Sequence, residues 1–112
     1  MSGYHDGRRV EWAVCHNLEQ DGYDIVRASS SKGFADVIAV KTGQVLFVNV
    51  KRTTPPGPDE RKALLRVAAC LPGVAVPLVA LKPFRQPLTY RRLTGVGAKE
   101  WLAWTPDQVG AS

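Results

Sequence analysis

Three polar side chains interrupt two otherwise apolar runs near the middle of the sequence. Asp36 lies near the start of the run 34–41, and Asn49 and Lys51 lie near the end of the run 44–51. An unpaired buried polar group costs roughly 2–7 kcal/mol, so each of these side chains needs a partner. A metal ion with a scissile phosphate beside it would satisfy all three. The alternative is that they are simply solvated at the ends of two strands.

A tight turn between the two runs determines where these side chains lie. Residues 42–43, Thr-Gly, separate two segments rich in Val, Ile, Leu and Phe, which is typical of a β-hairpin. In an antiparallel hairpin, the start of the first strand lies beside the end of the second. We therefore expect Asp36 to lie close to Asn49 and Lys51 at one end of the sheet.

A helix with one acidic side chain beside its apolar stripe is predicted before the hairpin. Residues 7–20 carry apolar side chains at helical spacing. Glu11 borders this stripe and, seen in isolation, is a surface carboxylate paired with Arg8 or Arg9. If the helix packs on the sheet, Glu11 lies near the same end as Asp36.

A short strand and a polar loop are predicted between this helix and the hairpin. Residues 23–29 alternate as a strand does, and Ser30, Ser31 and Lys32 follow in the loop. Hydroxyl and ammonium groups in a loop suit phosphate contacts, although any serine-rich loop has a similar composition.

The second half of the chain is predicted to add a helix, two strands and a tail. A proline-rich loop leads into a helix that begins at Pro58, and residues 74–81 and 89–93 are predicted strands. The tail, 95–112, holds two tryptophans, which pack either on the same core or in a dimer interface.

The resulting order, α-β-β-β-α-β-β, predicts an α/β fold. Its mixed central sheet is flanked by helices in two or three layers. We expect a single domain over residues 1–112, with its core at about 7–93, because a chain of this length rarely supports a second core.

The charge distribution favours an anionic partner. The net charge is +5, and eight basic residues but no acidic one lie between positions 61 and 99. Such a stretch is either a solvated surface or a nucleic-acid-binding surface. Because acidic residues gather in the N-terminal half with the candidate site, we favour nucleic acid.

Two features argue for a cytoplasmic protein without a zinc site. Cys15 and Cys70 lie in separate predicted helices without CxxC spacing, so both are expected to be reduced. There is no apolar run of membrane-spanning length and no signal-peptide pattern at the N-terminus, so no membrane partner is expected.

Taken together, the pattern resembles the PD-(D/E)xK nuclease superfamily. Glu11, then GYDIVRASSSKGFADVIAV with Asp36, then VLFVNVK with Asn49 and Lys51, is most similar to archaeal-type Holliday junction resolvases (Hjc) and their phage-encoded relatives. The resemblance covers about residues 7–82 and implies a restriction-endonuclease-like core. It also implies a structure-selective endodeoxyribonuclease of DNA recombination and repair, which nicks four-way DNA junctions as a homodimer. A phage-encoded enzyme of this kind would act in the host cytoplasm.

The resemblance implies a Mg²⁺ site, with Mn²⁺ as a substitute. Asp36 would be the central ligand, the main-chain carbonyl of Val50 a second ligand, and Glu11 a ligand directly or through water. Asn49 occupies the position of a further ligand. The metal would act as a Lewis acid and as a source of hydroxide.

The resemblance also implies roles outside the metal site. Lys51 would position or activate the attacking water and stabilise charge on the phosphate, and Ser30 or Ser31 matches a loop hydroxyl near the cleaved strand. The side chains expected to contact DNA are Arg8, Arg9, Ser30, Lys32, Arg52, Arg61, Lys62, Arg91 and Arg92.

One position departs from the family pattern. Asn49 stands where the family has Glu or Asp, so one negative charge is missing from the predicted cation site. The chain is then a natural variant that tolerates the amide, an inactivated nuclease, or a DNA-binding domain that does not cut. Another small nuclease of the VRR-NUC type is a further alternative.

Overall fold

The structure is a computed structural model that describes residues 2–27 and 35–106, with side chains described for residues 9–26 and 35–106. Within these ranges the chain forms two helices and six strands. They are α1 (Ser2–Gln20), β1 (Asp24–Arg27), β2 (Val37–Lys41), β3 (Gln44–Lys51), α2 (Pro58–Ala69), β4 (Ala75–Leu81), β5 (Thr89–Leu93) and β6 (Trp101–Trp104).

The six strands form one mixed sheet in sequential order, β1 to β6. β3 and β4 are parallel, with Val48 opposite Leu78, and the other neighbouring strands are antiparallel. The parallel pair follows from the connection, because α2 carries the chain back across the sheet between β3 and β4. The predicted α/β fold with a mixed central sheet is confirmed.

The hairpin has the predicted turn. β2 and β3 are joined by Thr42 and Gly43, and the register pairs Lys41 with Gln44 and Val37 with Val48. Gly43 has φ of 78°, a conformation that glycine adopts without a steric penalty. The turn therefore sets the register that places the two strand ends side by side.

Each face of the sheet is covered by one helix, so the fold has three layers. On one face, Val14 and Leu18 of α1 pack against a core that includes Leu46 and Val48. On the other face, Leu64 of α2 packs with Phe47 and with apolar residues of β4 and β5. Alternate side chains of β3 therefore contact different helices.

The first turn of α2 combines several helix-start signals. Pro58 occupies the first helical position after Gly57, and Asp59 and Glu60 follow in the first turn, where the helix dipole favours negative charge. The main-chain N–H of Arg61 donates to the oxygen of Gly57, with 3.0 Å between the two atoms. This start places Glu60 at the end of α2 that lies nearest to the proline-rich loop.

The predicted element order lacked one strand. Trp101–Trp104, which the sequence placed in a tail, forms β6 and pairs with β5 at the edge of the sheet. Trp104 is buried against α1's side of the core and meets Tyr90 edge-on, with ring centroids 5.4 Å apart. The sequence allowed the two tryptophans of the tail to pack either on the core or in a dimer interface. Trp104 packs on the chain's own core.

Candidate active site

The hairpin holds Asp36 beside the end of β3. The N–H of Asp36 donates to the carbonyl oxygen of Val48 at 2.8 Å, which extends the β2–β3 pairing by one residue. The N–H of Val50 in turn donates to Asp36 Oδ2, also at 2.8 Å. This second bond fixes the carboxylate against the main chain between Asn49 and Lys51. Asp36 therefore lies beside the main chain of this segment, whereas a shared site for the three side chains stays a prediction.

Asn49 and Lys51 point to the face of the sheet that α2 covers. Phe47, two residues before Asn49, packs with Leu64 on that face, whereas Val48 packs on the side of α1. Asn49 is only 3% exposed, and its Oδ1 oxygen is buried. A buried amide of this kind is unusual in a strand of apolar residues.

Lys51 forms an ion pair with Glu60, a residue outside the predicted site. Lys51 Nζ lies 3.2 Å from Glu60 Oε2, in the first turn of α2, and the two side chains are 31% and 35% exposed. Acidic residues at a helix start are common, so the sequence carried no signal for this contact. The structure thus adds Glu60 to the residues that surround the end of β3.

Glu11 lies on the other helix. It is half-buried on α1, between Val10 and Val14, and α1 covers the face opposite to Asn49. Its half of α1 nevertheless reaches the end of the sheet where Lys51 lies, because Arg9 and Val10 line a cavity with residues that follow β3 and β4. The metal role of Glu11 stays a prediction.

The donor atoms at the end of the hairpin suit a hard divalent cation. Asp36 offers a carboxylate, Asn49 an amide oxygen and Val50 a main-chain carbonyl, and Mg²⁺ prefers such oxygen ligands. Among the described residues, no group of three or more His, Cys, Asp or Glu side chains could hold a metal ion. The set therefore fits Mg²⁺ by ligand type but carries little negative charge.

A basic cleft opens at the same end of the sheet. This cavity of about 290 Å³ is lined by four basic side chains, Arg9, Arg52, Lys82 and Arg85, and by Val10, Ala13, Pro83 and Phe84. The N–H of Lys82 donates to the carbonyl of Lys51 at 3.2 Å, which ties the cleft to the end of β3. Arg9 and Arg52 were predicted individually to contact DNA, whereas Lys82 and Arg85 were predicted only as members of the basic stretch between positions 61 and 99.

The loop that supplies Lys82 and Arg85 has a defined conformation. The N–H of Gln86 donates to the oxygen of Pro83 at 3.0 Å, closing a turn. Arg85 has φ of 61°, which a non-glycine residue rarely adopts, and its guanidinium lies 5.3 Å from the centre of the Phe84 ring. Phe84 itself is 71% exposed at the edge of the cleft.

Other predicted DNA-binding residues lie away from the cleft. Arg61 donates to the main-chain oxygens of Val96 and Pro56, at 2.6 and 2.7 Å, and so ties α2 to two loops. The guanidinium of Arg91 stacks on the ring of Trp101 at 4.1 Å.

Lys62 lies on the outer surface of α2 and Arg92 is exposed on β5. Ser30, Ser31, Lys32 and the side chain of Arg8 lie outside the described residues.

Two buried tyrosines have raised pKa values. Burial raises the pKa of Tyr90 above its ordinary value of 10.0, and the Tyr90 hydroxyl donates to Asn17 Oδ1 at 2.7 Å. Burial and the nearby charge of Asp21 also raise the pKa of Tyr23. Tyr90 therefore connects β5 to α1 as an uncharged group.

The comparisons with known proteins point to one family. The sequence profile of the archaeal Holliday junction resolvase (Hjc) family matches residues 2–57, which run from α1 to the loop after β3. Among solved structures, Hjc of Archaeoglobus fulgidus, described as a Holliday junction resolvase from an archaeal hyperthermophile, matches with a TM-score of 0.61 and 24% sequence identity. The match covers 76% of this chain and 70% of that one. No curated protein sequence matches.

None of the helices in the described part of the chain has the length and apolar character needed to cross a membrane.

Proposed function

Because this chain belongs to the archaeal Holliday junction resolvase family, we propose that it is an endonuclease that nicks four-way DNA junctions with the help of Mg²⁺. The observation that carries the proposal is the hydrogen bond from Val50 to Asp36, which holds a carboxylate beside Asn49 and Lys51. The profile match spans all of these residues, and the structural match supports the same fold.

The residues at the hairpin end would have two roles in phosphodiester hydrolysis, binding the cation and stabilising charge on the phosphate. Asp36, the amide oxygen of Asn49 and the carbonyl of Val50 would hold the cation, and Glu11 would reach it directly or through water. When bound, Mg²⁺ polarises the phosphate and lowers the pKa of a coordinated water. Lys51 places a positive charge where the phosphate gains negative charge during attack, and so stabilises the transition state. Water attacks the phosphorus in line with the leaving oxygen and gives up one proton to solvent. The bond between phosphorus and the leaving oxygen breaks, and that oxygen takes up a proton from solvent.

The basic cleft is the proposed path of a DNA strand. The cleft lies at the end of β3 on the side of α1, where the main chains of Lys51 and Lys82 are hydrogen-bonded, so a backbone bound along the four basic side chains would pass the end of β3. Contacts to phosphates carry no sequence information, which suits an enzyme that recognises a branched shape. Binding through such contacts weakens steeply as salt is added.

A homodimer is the proposed assembly on the junction. A four-way junction has approximate two-fold symmetry, and two copies related by a two-fold axis present two equivalent sites to two equivalent strands. Paired nicks at symmetric positions are the expected product. Sedimentation of the protein with and without a junction measures this assembly directly.

Asn49 favours a second candidate function, a DNA-binding module that does not cut. Its amide leaves one charge fewer on a cation site than the family pattern has, which weakens metal binding. The experiment that separates the two candidates is cleavage of a labelled four-way junction by this protein, Asn49→Glu and Lys51→Ala. Paired nicks that disappear in Lys51→Ala support the nuclease, whereas junction binding without cleavage by any of the three supports the module.

A further inference from the structure

The candidate cation site has one negative charge fewer than the family pattern, because β3 supplies Asn49 in place of a carboxylate. Asp36 is the carboxylate at the hairpin end, and Asn49 adds an amide that is buried and neutral. The affinity of an oxygen site for a divalent cation increases with the number of carboxylates in it. A compensating carboxylate on the same face of the sheet would therefore strengthen the site.

Glu60 is a carboxylate in the right place for this compensation. It extends from α2, the helix that covers the face to which Asn49 and Lys51 point. Its Oε2 lies 3.2 Å from Lys51 Nζ, and about a third of each side chain is exposed, so a cation has access from solvent. The first turn of α2 is held in place by hydrogen bonds from Arg61 to Gly57 and Pro56.

Stability does not account for the contact between Glu60 and Lys51. Partly exposed ion pairs contribute little to the free energy of unfolding. The favourable interaction with the helix dipole is available to the neighbouring Asp59 as well, and Asp59 lines a different depression with Lys62 and Arg66. What distinguishes Glu60 from Asp59 is its position beside the lysine of the candidate site.

We propose that Glu60 is a metal ligand of this chain and supplies from α2 the negative charge that Asn49 does not supply from β3. This inference rests on the proposed function, since it assigns a residue to the cation site of the same nuclease. Glu60 would then be the carboxylate that α2 adds to Asp36 of the hairpin and to Glu11 of α1. The ion pair with Lys51 then holds Glu60 in place until a cation binds.

The test is Mn²⁺ binding to the whole protein, measured by titration calorimetry and by the paramagnetic signal of free Mn²⁺. Glu60→Gln is expected to weaken binding at least tenfold, as is Asp36→Asn. Asp59→Asn is the matched control, because it removes the same charge from the same helix turn, and it is expected to change affinity less than threefold. Adding Asn49→Glu to Glu60→Gln is expected to restore affinity to within threefold of the starting protein.

A second comparison separates a ligand from a residue that acts through Lys51. In a Lys51→Met background, Glu60→Gln still weakens Mn²⁺ binding at least tenfold if Glu60 is a ligand. No further loss in that background overturns the proposal, as does a Glu60→Gln variant that binds like Asp59→Asn. Circular dichroism spectra confirm that each variant is folded.

The same data distinguish failure of this inference from failure of the proposed function. If Mn²⁺ binds and depends on Asp36 but not on Glu60, the assignment of Glu60 is wrong and the metal-dependent nuclease stands. If the starting protein binds no Mn²⁺ at millimolar concentration, both are overturned.

Discussion

Removing two charges from the basic cleft should halve the contribution of this cleft to the salt dependence of junction binding. The perturbation is the double substitution Lys82→Gln and Arg85→Gln, in the loop after β4. Four basic side chains line the cleft. If each neutralises one phosphate, the cleft contributes a slope of roughly −3.6 to a plot of log affinity against log salt.

The size of the effect follows from that slope. Between about 50 and 200 mM salt, four contacts weaken binding by roughly 150-fold, whereas the two that remain in the double variant weaken it by roughly 12-fold. The slope should therefore become shallower by about 1.8. Fluorescence anisotropy of a labelled four-way junction, with EDTA present to prevent cleavage, measures affinity across the salt series.

A matched control removes the same charges elsewhere. Arg66→Gln with Lys99→Gln takes away one arginine and one lysine that are exposed outside the cleft. This control should keep the original slope to within about 0.5. An unchanged slope in the cleft variant, or an equal change in both variants, would refute the assignment of this cleft to DNA.

Two further predictions concern the fold that positions the site. Leu64→Ala, in the core between α2 and β3, should lower the free energy of unfolding by about 2–5 kcal/mol in urea denaturation, whereas Leu71→Ala, which is exposed, should change it by less than about 0.5 kcal/mol. Equal losses would contradict the packing described. Because the pKa of Tyr90 is raised in the folded protein, its contribution to stability is fully present below pH 10.0, the ordinary tyrosine pKa, and decreases as the pH rises above it. Tyr90→Phe should remove this loss at high pH, at a cost of about 1 kcal/mol at neutral pH, and an unchanged pH profile would contradict the assignment.

The hairpin and its polar end could be predicted from the sequence because their determinants are local. The turn at 42–43 lies between two runs of strand-forming residues, and a hairpin register follows from its turn. The placement of Asp36 beside Asn49 needs no further information. The same reasoning predicted the helix starting at Pro58 with the correct first residue.

The missed features depend on contacts between distant parts of the chain. β6 consists of four residues, Trp-Leu-Ala-Trp, that show no polar alternation, and it becomes a strand because β5 offers an unpaired edge. The contact between Lys51 and Glu60 depends on how α2 crosses the sheet, which neither local pattern encodes. Likewise, the contacts of Arg61 and Arg91 with neighbouring loops and with Trp101 arise only in the folded chain.

Pro77 shows how a local rule and the observed topology are reconciled. Proline within a strand indicates an edge or a bulge, yet β4 lies in the interior of the sheet. Pro77 pairs with Phe47 of β3, whereas the pairing of β4 with β5 begins at Leu78. At Pro77, β4 is therefore paired with β3 but not with β5.

The most direct test of the proposed nuclease is cleavage of a labelled four-way junction in the presence of Mg²⁺, with linear duplex as the control substrate. The proposed nuclease activity predicts paired, symmetric nicks in the junction and little cleavage of the duplex. In Lys51→Ala cleavage should fall by at least about 100-fold, because removal of one such electrostatic group typically costs 10²–10³ in rate. Intact junction binding without cleavage, by this protein and by Asn49→Glu alike, would contradict it.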